Sequence, residues 1–304
     1  MVKILIMGGT QFVSKALAQY LITKGHQVDI FTRGHKEIEF SGIHQHLKGD
    51  RNLTEDIREN LSGKTYEYIF DINAYTKVQI KKVVDHLNLR QLKRYIFCSS
   101  GAVYAPSEKL VPETFIKEEH PIWGAYGVNK KEAEDYLFHL HSEMDFPMTI
   151  FRPSYIYGGG NNHYRESYFF DRIEKGLSIP LPEGNCQVQF VHISDVVRMM
   201  ASVLYNEHSN GEAYNLTYSE SVSWENLLET VERVMEKKAV DREREDCLNG
   251  STMDVKERKF PFPNVTYLLE NNKSIEHGLF SPEIDLVTGL DEAYQDHIKR
   301  RNTI

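Results

Sequence analysis

Residues 3–14 read KILIMGGTQFVS, and this stretch gives the strongest indication of the fold. Its first part, Lys3–Met7, is an almost continuous apolar run, as in a strand that is buried on both faces. Two glycines follow, and the amphipathic stretch Phe12–Lys24 predicts a helix. A strand, a glycine turn and a helix N-terminus together present backbone N–H groups that suit the pyrophosphate of a dinucleotide.

The glycine pattern of this turn is incomplete. A full dinucleotide fingerprint has glycine at positions 8, 11 and 14, but Gln11 and Ser14 stand at the second and third of these positions. Ser14 is small enough for close packing of the helix on the strand, whereas Gln11 brings a side chain to a place where backbone should approach phosphate. The turn therefore fits two interpretations, a dinucleotide cradle with an altered loop and an ordinary tight turn of an α/β protein.

Short apolar runs alternate with amphipathic stretches on the C-terminal side of this turn. Such alternation predicts a Rossmann-type α/β fold with a doubly wound parallel sheet. The predicted strands are Lys3–Met7, Gln27–Thr32, a third that ends at Asp50, Tyr66–Ile72, Arg94–Ser99 and Met148–Arg152. The predicted helices are Phe12–Lys24, Leu53–Leu61, Lys77–Leu89 and Tyr126–Ser142.

The pattern loosens after about residue 155, which indicates a smaller second domain. We expect a further strand at Val188–Ile193, helices at Ser194–Asn206 and Trp224–Lys237, and an exposed loop over the highly charged Asp241–Lys259. The predicted division places residues 1–165 and 186–218 in the first domain and residues 166–185 and 219–304 in the second.

Composition narrows the classes of function. The 304 residues include 44 acidic and 36 basic side chains, a formal net charge of −8, which disfavours a protein built to bind nucleic-acid phosphates or a membrane surface. The three cysteines are too few and too scattered for a disulfide framework. No leader or membrane span is evident, and no histidine pair has metal-ligand spacing, so we expect a cytoplasmic protein without a catalytic metal.

Polar residues at strand ends are candidates for cofactor binding. Arg33 follows the second strand, where an NAD-binding protein would place an acid for the ribose hydroxyls. A cation there favours NADP(H), although a solvated arginine at a strand end is the alternative. Asp50 ends the third strand and is expected to face the adenine, and residues 71–74 end the fourth and are expected to line the cofactor trough.

A serine, a tyrosine and a lysine form the candidate catalytic group. Tyr126 and Lys130 are four residues apart, so they share one face of a helix. The lysine ammonium would favour the phenolate and bring the tyrosine pKa down toward that of a usable general base. Ser100 follows the fifth strand, where its hydroxyl could hold the reacting oxygen of a substrate. An isolated Tyr-x-x-x-Lys is otherwise a surface pair, but its position after a Ser-Ser strand end favours catalysis.

Five groups of residues occur in an order that a known family shares. They are Gly8-Gly9-Thr10 with Phe12, Ser99-Ser100 with Val103-Tyr104, Tyr126-Gly127-Val128-Asn129-Lys130, Arg152-Pro153 with Tyr157-Gly158, and Val191-His192-Ile193 with Asp195. In these residues the sequence resembles an extended short-chain dehydrogenase/reductase of the NAD-dependent epimerase/dehydratase family.

The resemblance implies a Rossmann domain that binds NAD(P), with Ser100, Tyr126 and Lys130 as the catalytic trio. It also implies a C-terminal domain that closes over a nucleotide-sugar-like substrate, and a homodimer through helices Lys77–Leu89 and Tyr126–Ser142. The expected cofactor-binding residues are Gly8, Thr10, Gln11, Phe12, Arg33, Asp50, Ile72, Asn73, Ala74, Pro153 and Ile156.

A narrower resemblance points to the atypical branch that contains chloroplast stem-loop RNA-binding proteins. It rests on residues 8–12, 31–34, 260–262 and 282–290. That branch tends to lose the Tyr-Lys pair, which this sequence keeps. We therefore expect an NAD(P)-dependent epimerase or oxidoreductase acting on a hydroxyl or keto group of a sugar-like, nucleotide-linked substrate. The alternatives are a non-catalytic RNA-binding protein and a cofactor-sensing regulator.

Two departures from the family pattern narrow the expected reaction. Gly101-Ala102 stands where a sugar-nucleotide 4,6-dehydratase would have an acid pair, which disfavours dehydration. Val188 and Gln189 lie where relatives often place an arginine against the nucleotide diphosphate. Arg165, Arg172 or the charged 241–259 segment are alternative sources of an anion contact, and the spacing does not select among them.

Overall fold

The computed structural model describes residues 1–241, the backbone of Arg244–Glu245, and residues 260–302. A parallel sheet of seven strands forms its centre. Numbered in chain order, these strands are β1 (Lys3–Met7), β2 (Gln27–Thr32), β3 (Gln45–Lys48), β4 (Tyr68–Asp71), β5 (Arg94–Cys98), β6 (Met148–Pro153) and β10 (Glu212–Leu216).

The strand order is β3-β2-β1-β4-β5-β6-β10. In the centre, Ile4 of β1 lies opposite Val28 on one neighbouring strand and Tyr68 on the other. The chain runs outward from β1 to β3 and then returns to β4 on the other side of β1. This reversal opens a crevice at the carboxyl ends of β1 and β4, which is where ligands of doubly wound sheets bind.

Helices cover both faces of this sheet. Side chains of β1 alternate between the faces, so Ile4 and Ile6 pack in one apolar cluster while Leu5 and Met7 pack in the other. The first cluster includes helices α1 (Phe12–Thr23) and α6 (Ile193–Ala201). The second includes α2 (Thr54–Leu61), α3 (Lys77–Val84) and α4 (Gly124–Met144).

A second, smaller layer contains a three-stranded sheet and three helices around an aromatic core. Trp224 stacks on Phe262 there with ring centroids 5.1 Å apart. The sheet has the order β11-β9-β7. The elements of this layer are β7 (Tyr155–Tyr157), α5 (Glu166–Glu174), β8 (Leu181–Pro182), β9 (Gln187–His192), β11 (Ser221–Ser223), α7 (Trp224–Val234), β12 (Arg244–Glu245) and α9 (Leu286–Arg301). The short helix α8 (Asn272–Glu276) lies instead against β10 of the main sheet.

The predicted Rossmann-type fold is confirmed, and three details differ from expectation. The helix expected over Lys77–Leu89 ends at Val84, where the His86 amide bonds to the Val83 carbonyl and the His86 ring to the Lys82 carbonyl. Strand β10 was not expected, because Glu212 and Asn215 interrupt its apolar pattern. The strand expected at Val188–Ile193 forms as β9, in the smaller sheet.

Helix α9 was not expected either. Only Leu286, Gly289, Leu290 and Ala293 of its sixteen residues are buried, so its apolar stripe is short. The division of the chain into two domains stays a prediction. The loop expected over Asp241–Lys259 lies outside the described residues, apart from Asp241 and the backbone of Arg244–Glu245.

Two further sequence expectations concern thiols and membranes. Cys98 and Cys186 are free thiols, while Cys247 lies outside the described residues. In the part of the chain that the structure describes, no helix combines the length and apolarity needed to cross a bilayer.

Candidate active site

A cavity of about 630 Å³ opens at the carboxyl ends of the central strands, in the crevice that the strand order creates. Phe12 follows β1, Ile72 follows β4, Ser100 follows β5 and Pro153 ends β6, and all four line the cavity. The start of α4 and residues 261–267 close the other sides. The cavity therefore lies between the main sheet and the smaller layer.

Ser100 is held at the end of β5 by the turn that follows it. Its Oγ accepts a hydrogen bond from the Ala102 amide at 3.2 Å and so caps a single 3-10 turn over Gly101–Val103. The same hydroxyl is within hydrogen-bonding reach of the phenols of Tyr126 and Tyr267. The serine thus connects two tyrosines from distant parts of the chain.

Lys130 lies one helical turn beyond Tyr126 on α4 and is 3% exposed. Its ammonium donates to the carbonyl oxygens of Ala74 and Cys98, both at 2.7 Å, and lies 5.9 Å from the Tyr126 ring centroid. Burial lowers the pKa of Lys130. Because an ammonium has three N–H donors, one remains for a ligand in the cavity. The structure therefore brings Ser100, Tyr126 and Lys130 to one cavity.

The pKa of Tyr126 departs from the expectation. We expected the Lys130 ammonium to lower it, but burial raises it, and a hydrogen bond from Ser100 and the charge of Arg165 offset only part of this rise. The Tyr126 side chain is 40% exposed and packs edge-on against Tyr75, yet enough protein surrounds its phenol to penalise the phenolate. The expectation was wrong for the protein alone because desolvation of the phenol exceeds the effects of Ser100 and Arg165.

The glycine turn fits a dinucleotide pyrophosphate. Gly8 has φ +118°, and a Cβ there would lie 2.9 Å from the Ser14 Cβ, so helix and strand approach as closely as a glycine permits. Gln11 is exposed and its side chain does not cap α1, and the first turn of α1 contains no acidic residue. The N–H groups at this helix end thus remain available to an anion.

The other expected cofactor residues lie in different surroundings. Ile72, Pro153 and Ile156 line the cavity with Phe12. Ala74 is buried and anchors Lys130 through its carbonyl oxygen, while Asn73 accepts a hydrogen bond from Arg51.

Thr10 and Gln11 do not line this cavity but a second one, of about 830 Å³ between α1 and α9, and Phe12 lines both. Arg33 is exposed beyond β2, and the Asp50 carboxylate accepts from the Asn52 amide at 2.8 Å. The assignment of Arg33, Asp50 and the other expected residues to cofactor binding stays a prediction.

Asp71 does not line the cofactor trough as expected, because its carboxylate is fully buried. Arg51 donates to both carboxylate oxygens at 2.7 and 2.8 Å, and the Tyr95 hydroxyl donates at 2.5 Å. The guanidinium lowers the pKa of Asp71 against the effect of burial. The sequence signal for this pair was Gly49-Asp50-Arg51 at the end of β3, whose arginine the sequence analysis did not use.

Tyr267 is a cavity residue that sequence reasoning missed. Its backbone N–H donates to the Gln187 carbonyl at 2.8 Å, which brings this late segment beside β9. The phenol packs against the rings of Trp123 and Tyr155, both with centroids at 5.2 Å. A single tyrosine outside any motif gives no sequence signal for such a long-range contact.

Gln189, one of the two residues that stand where the resemblance implies an arginine, is buried. Its Oε1 accepts from the Leu269 amide at 2.6 Å, and its Nε2 donates to the Ser219 carbonyl at 3.3 Å. The residue therefore serves the local backbone. Arg165 and Arg172 were the arginines expected to supply an anion contact instead. Arg165 lines the cavity, whereas Arg172 donates to the Ser178 carbonyl at 2.6 Å and does not line it.

A group of potential metal ligands lies elsewhere, between α5 and α9. The side chains of Asp171, Glu174 and His297 have ligand atoms within 4.8 Å of one another. Lys175 lies 3.8 Å from Asp171, and Arg301 contacts Glu174. Because cations of the chain already neutralise both acids, these residues are best explained as an ion-pair cluster.

The doubly wound sheet, its second layer and the Ser-Tyr-Lys group define a protein of the extended short-chain dehydrogenase/reductase type. The model of the NAD dependent epimerase/dehydratase family matches residues 4–217, and the chain belongs to this family. The expected resemblance to chloroplast stem-loop binding proteins is confirmed as well. The chain is 31% identical to the chloroplast stem-loop binding protein of 41 kDa b of Arabidopsis thaliana, over 96% of this chain and 78% of that protein.

Other known proteins share parts of the sequence or the fold. A dTDP-4-dehydro-6-deoxyglucose reductase of Escherichia coli is 27% identical over 54% of this chain and 54% of its own. The structure of UDP-glucose 4-epimerase with UDP-glucose from Thermotoga maritima has a TM-score of 0.79 at 20% identity and covers 98% of this chain and 99% of its own.

A UDP-N-acetylglucosamine 4-epimerase from Methanobrevibacter ruminantium gives a TM-score of 0.80 at 17% identity, with the same coverage of both chains. At such identities, the structural similarity shows the fold alone.

Proposed function

We propose that this protein is an NAD(P)-dependent epimerase or oxidoreductase that acts on a hydroxyl or keto group of a sugar-like, nucleotide-linked substrate. The observation that carries the proposal is the presence of Ser100, Tyr126 and Lys130 in one cavity at the strand ends. Family membership and the nucleotide-sugar enzymes that share the fold support it.

Residues of the chain itself carry out the proton transfer of the proposed reaction. A bound nicotinamide dinucleotide supplies a hydride acceptor and donor. Tyr126 takes the proton from the substrate hydroxyl or returns it to a carbonyl oxygen, and Ser100 hydrogen-bonds the same oxygen. Lys130 keeps one N–H donor for the ribose of the cofactor, since its other two are engaged by Ala74 and Cys98.

The cofactor proposal rests on the α1 N-terminus and on Arg33. Unsatisfied N–H groups and the absence of an acid in the first turn of α1 suit a pyrophosphate. The exposed Arg33 guanidinium beyond β2 suits a 2′-phosphate, so we propose NADP(H) as the preferred form. Gly101 and Ala102, in place of an acid pair after Ser100, support epimerisation or reduction over 4,6-dehydration.

Replacing Tyr126 with phenylalanine tests the proposal. We expect a loss of about 100-fold or more in turnover of a responsive sugar nucleotide, because general acid–base groups contribute at least this much. With UDP- and dTDP-linked sugars, net oxidation or reduction would be followed by the nicotinamide absorbance, and epimerisation by chromatography of the sugar products. Tyr75→Phe is the matched control, since Tyr75 packs against Tyr126 in the same cavity. Undiminished turnover in Tyr126→Phe would contradict the assigned role.

A second candidate function is the binding of a nucleic-acid stem-loop without catalysis. The observation that favours it is the 31% identity to the Arabidopsis thaliana stem-loop binding protein across nearly the whole chain. The net charge of −8 weighs against it. Titration with a structured RNA at several salt concentrations, beside titration with NADPH, separates the two candidates. Tight, steeply salt-dependent RNA binding without NADPH binding would support the second.

The proposed assembly is a homodimer through α3 and α4. Val78 on α3 is 61% exposed, an apolar side chain that a partner helix could cover. Sedimentation of the wild type beside Val78→Lys tests this proposal, because a charge there should favour the monomer.

A further inference from the structure

We propose that Arg165 binds an acidic group that the substrate carries on its reacting moiety, a carboxylate or a phosphate, and that the protein is thereby specific for acidic substrates. The inference rests on the proposed function and names the substrate class of the same cavity. It follows from the position of Arg165, from its unused hydrogen-bond donors and from the charges around it.

Arg165 is fixed in place by its neighbours. It directly precedes α5, and its guanidinium lies over the rings of Tyr155 and Phe262, with centroid distances of 5.3 and 5.7 Å. The loop before it is ordered through Glu166, whose carboxylate accepts hydrogen bonds from the Gly158 amide and the Asn161 side chain. A guanidinium held against aromatic faces loses little freedom when a ligand binds.

The donors of Arg165 are not used within the described part of the chain. There its guanidinium has neither an acidic partner nor a hydrogen-bond acceptor, in contrast to Arg51 and Arg152, which pair with Asp71 and Glu134. A half-buried guanidinium presents five N–H donors in a geometry that matches a carboxylate or a phosphate. A side chain with these properties in a cavity wall is suited to an anionic ligand.

The charge balance of the cavity supports the same conclusion. Its described lining includes Lys130 and Arg165 but no aspartate or glutamate. Lys130 is committed to the carbonyl oxygens of Ala74 and Cys98 and to the proposed cofactor. The His163 side chain is exposed, and partial desolvation and the charge of Arg165 lower its pKa, which disfavours a second cation beside Arg165. Arg165 is therefore the cation available to the substrate.

Arg165 lines the same cavity as Tyr126, so an acidic group bound to Arg165 would share that cavity with the reacting group. The charge of Arg165 acts on the Tyr126 phenol, which is the group proposed to move the proton. On β9, Gln189 is neutral and its side chain is engaged by backbone, so it offers no charge to an acidic ligand. Because Arg165 shares the cavity with Tyr126 and acts on its phenol, we assign Arg165 to the reacting moiety, and the nucleotide diphosphate is the alternative that the binding test separates.

Calorimetric binding to the full chain tests the inference without relying on turnover. UDP-glucuronate and UDP-glucose share a diphosphate and differ in the charge of the sugar. We expect wild type to bind UDP-glucuronate at least about 10-fold more tightly, since a charge-assisted hydrogen bond to the carboxylate strengthens binding by this order. Arg165→Met should remove this preference and leave the affinity for UDP-glucose unchanged, and Arg165→Lys should restore part of it.

Arg172→Met is the matched control. Arg172 also lies over an aromatic ring, that of Tyr168 at 5.3 Å, but it does not line the cavity. Its replacement should leave both affinities unchanged. Equal or absent binding of the two nucleotides by wild type would overturn the inference, as would an equal loss of both in Arg165→Met, which would assign Arg165 to the diphosphate. Failure of the proposed function is separate, because it would appear as unchanged turnover in Tyr126→Phe.

Discussion

The Tyr267 hydroxyl lies directly against the backbone of Gly101, in the space that a Cβ at position 101 would occupy. Gly101 follows the catalytic serine candidate, and Tyr267 belongs to the late segment that closes the cavity. The absence of a side chain at position 101 is therefore what lets this phenol approach Ser100. Position 101 is also the first of the two positions at which the family resemblance implies an acid pair in a 4,6-dehydratase.

We expect Gly101→Ala to destabilise the protein and to weaken catalysis. The added methyl group must displace the Tyr267 ring, and overpacking of this kind typically costs about 1–3 kcal/mol. Urea unfolding measures the loss, and the same substitution in a Tyr267→Phe background should cost less. Gly159→Ala is the control, because the nearest atoms to its Cβ would be at 3.4 Å. Equal effects at both glycines would contradict the explanation.

Breaking the buried pair of Arg51 and Asp71 should be strongly destabilising. Asp71→Asn leaves a buried guanidinium without its counter-ion, and removal of one partner of such a pair costs about 3–5 kcal/mol. The exposed pair of Lys81 and Asp85 provides the control, since Asp85→Asn should cost less than about 1 kcal/mol. Denaturant unfolding of both variants makes the comparison. Equal losses would show that the buried pair contributes no more than a surface pair.

The same pair predicts acid sensitivity. The pKa of Asp71 is lower in the folded protein than its usual value, so the folded state favours the carboxylate. The stabilisation is complete above the pKa of the unfolded chain and is lost as the pH falls through the folded pKa. Unfolding measured along an acidic pH series should show a smaller slope in Asp71→Asn than in wild type.

The rate of substrate oxidation should increase with pH. A general base must be deprotonated, and burial raises the pKa of the Tyr126 phenol. The hydrogen bond from Ser100 and the charge of Arg165 lower the pKa of Tyr126, whereas the charge of Cys98 raises it. The other titratable groups in the cavity include Lys130 and Tyr267. Removing a group that lowers the pKa moves the rate profile upward in pH. We therefore expect kcat/KM for Ser100→Ala to reach its midpoint at higher pH than wild type, and a downward shift would contradict this account.

Arg33 should control the choice between the two nicotinamide dinucleotides. Arg33→Asp removes a cation suited to a 2′-phosphate and supplies an acid suited to ribose hydroxyls. We expect the ratio of NADPH to NADH affinity to fall by about 10-fold or more, as measured by fluorescence titration, because charged hydrogen bonds are worth about 1.5–3 kcal/mol. Arg58→Asp on α2 is the control for an exposed arginine. An unchanged ratio in Arg33→Asp would leave Arg33 as a solvated side chain.

Local patterns were sufficient to predict most of the central sheet. Buried parallel strands such as β1 and β2 are short apolar runs, and their observed bounds coincide with the predicted ones. Strand β10 and helix α9 were not predicted, because each buries only part of its surface and carries polar residues within its apolar pattern. The conformation of these two elements depends on tertiary packing, and the hydrophobic periodicity of a local sequence does not report such packing.

The candidate site could be predicted to a similar extent. The sequence predicted that Ser100, Tyr126 and Lys130 lie together. Helix periodicity puts Tyr126 and Lys130 on one face, and the topology of α/β sheets puts Ser100 at the edge where the strands end. The sequence did not predict that Tyr267 lines the cavity, or that Arg165 lines it and Arg172 does not. Both depend on contacts between segments about 100 residues apart, such as that of Arg165 with Phe262.

The two carbonyl contacts of Lys130 make its ammonium a rigid bridge between the ends of β4 and β5. A lysine on a free four-carbon chain would have to lose its rotational freedom each time a ligand arrived. In this protein the Lys130 side chain loses that rotational freedom when the chain folds. One N–H group of the ammonium remains unbonded, and its direction is fixed before a ligand binds.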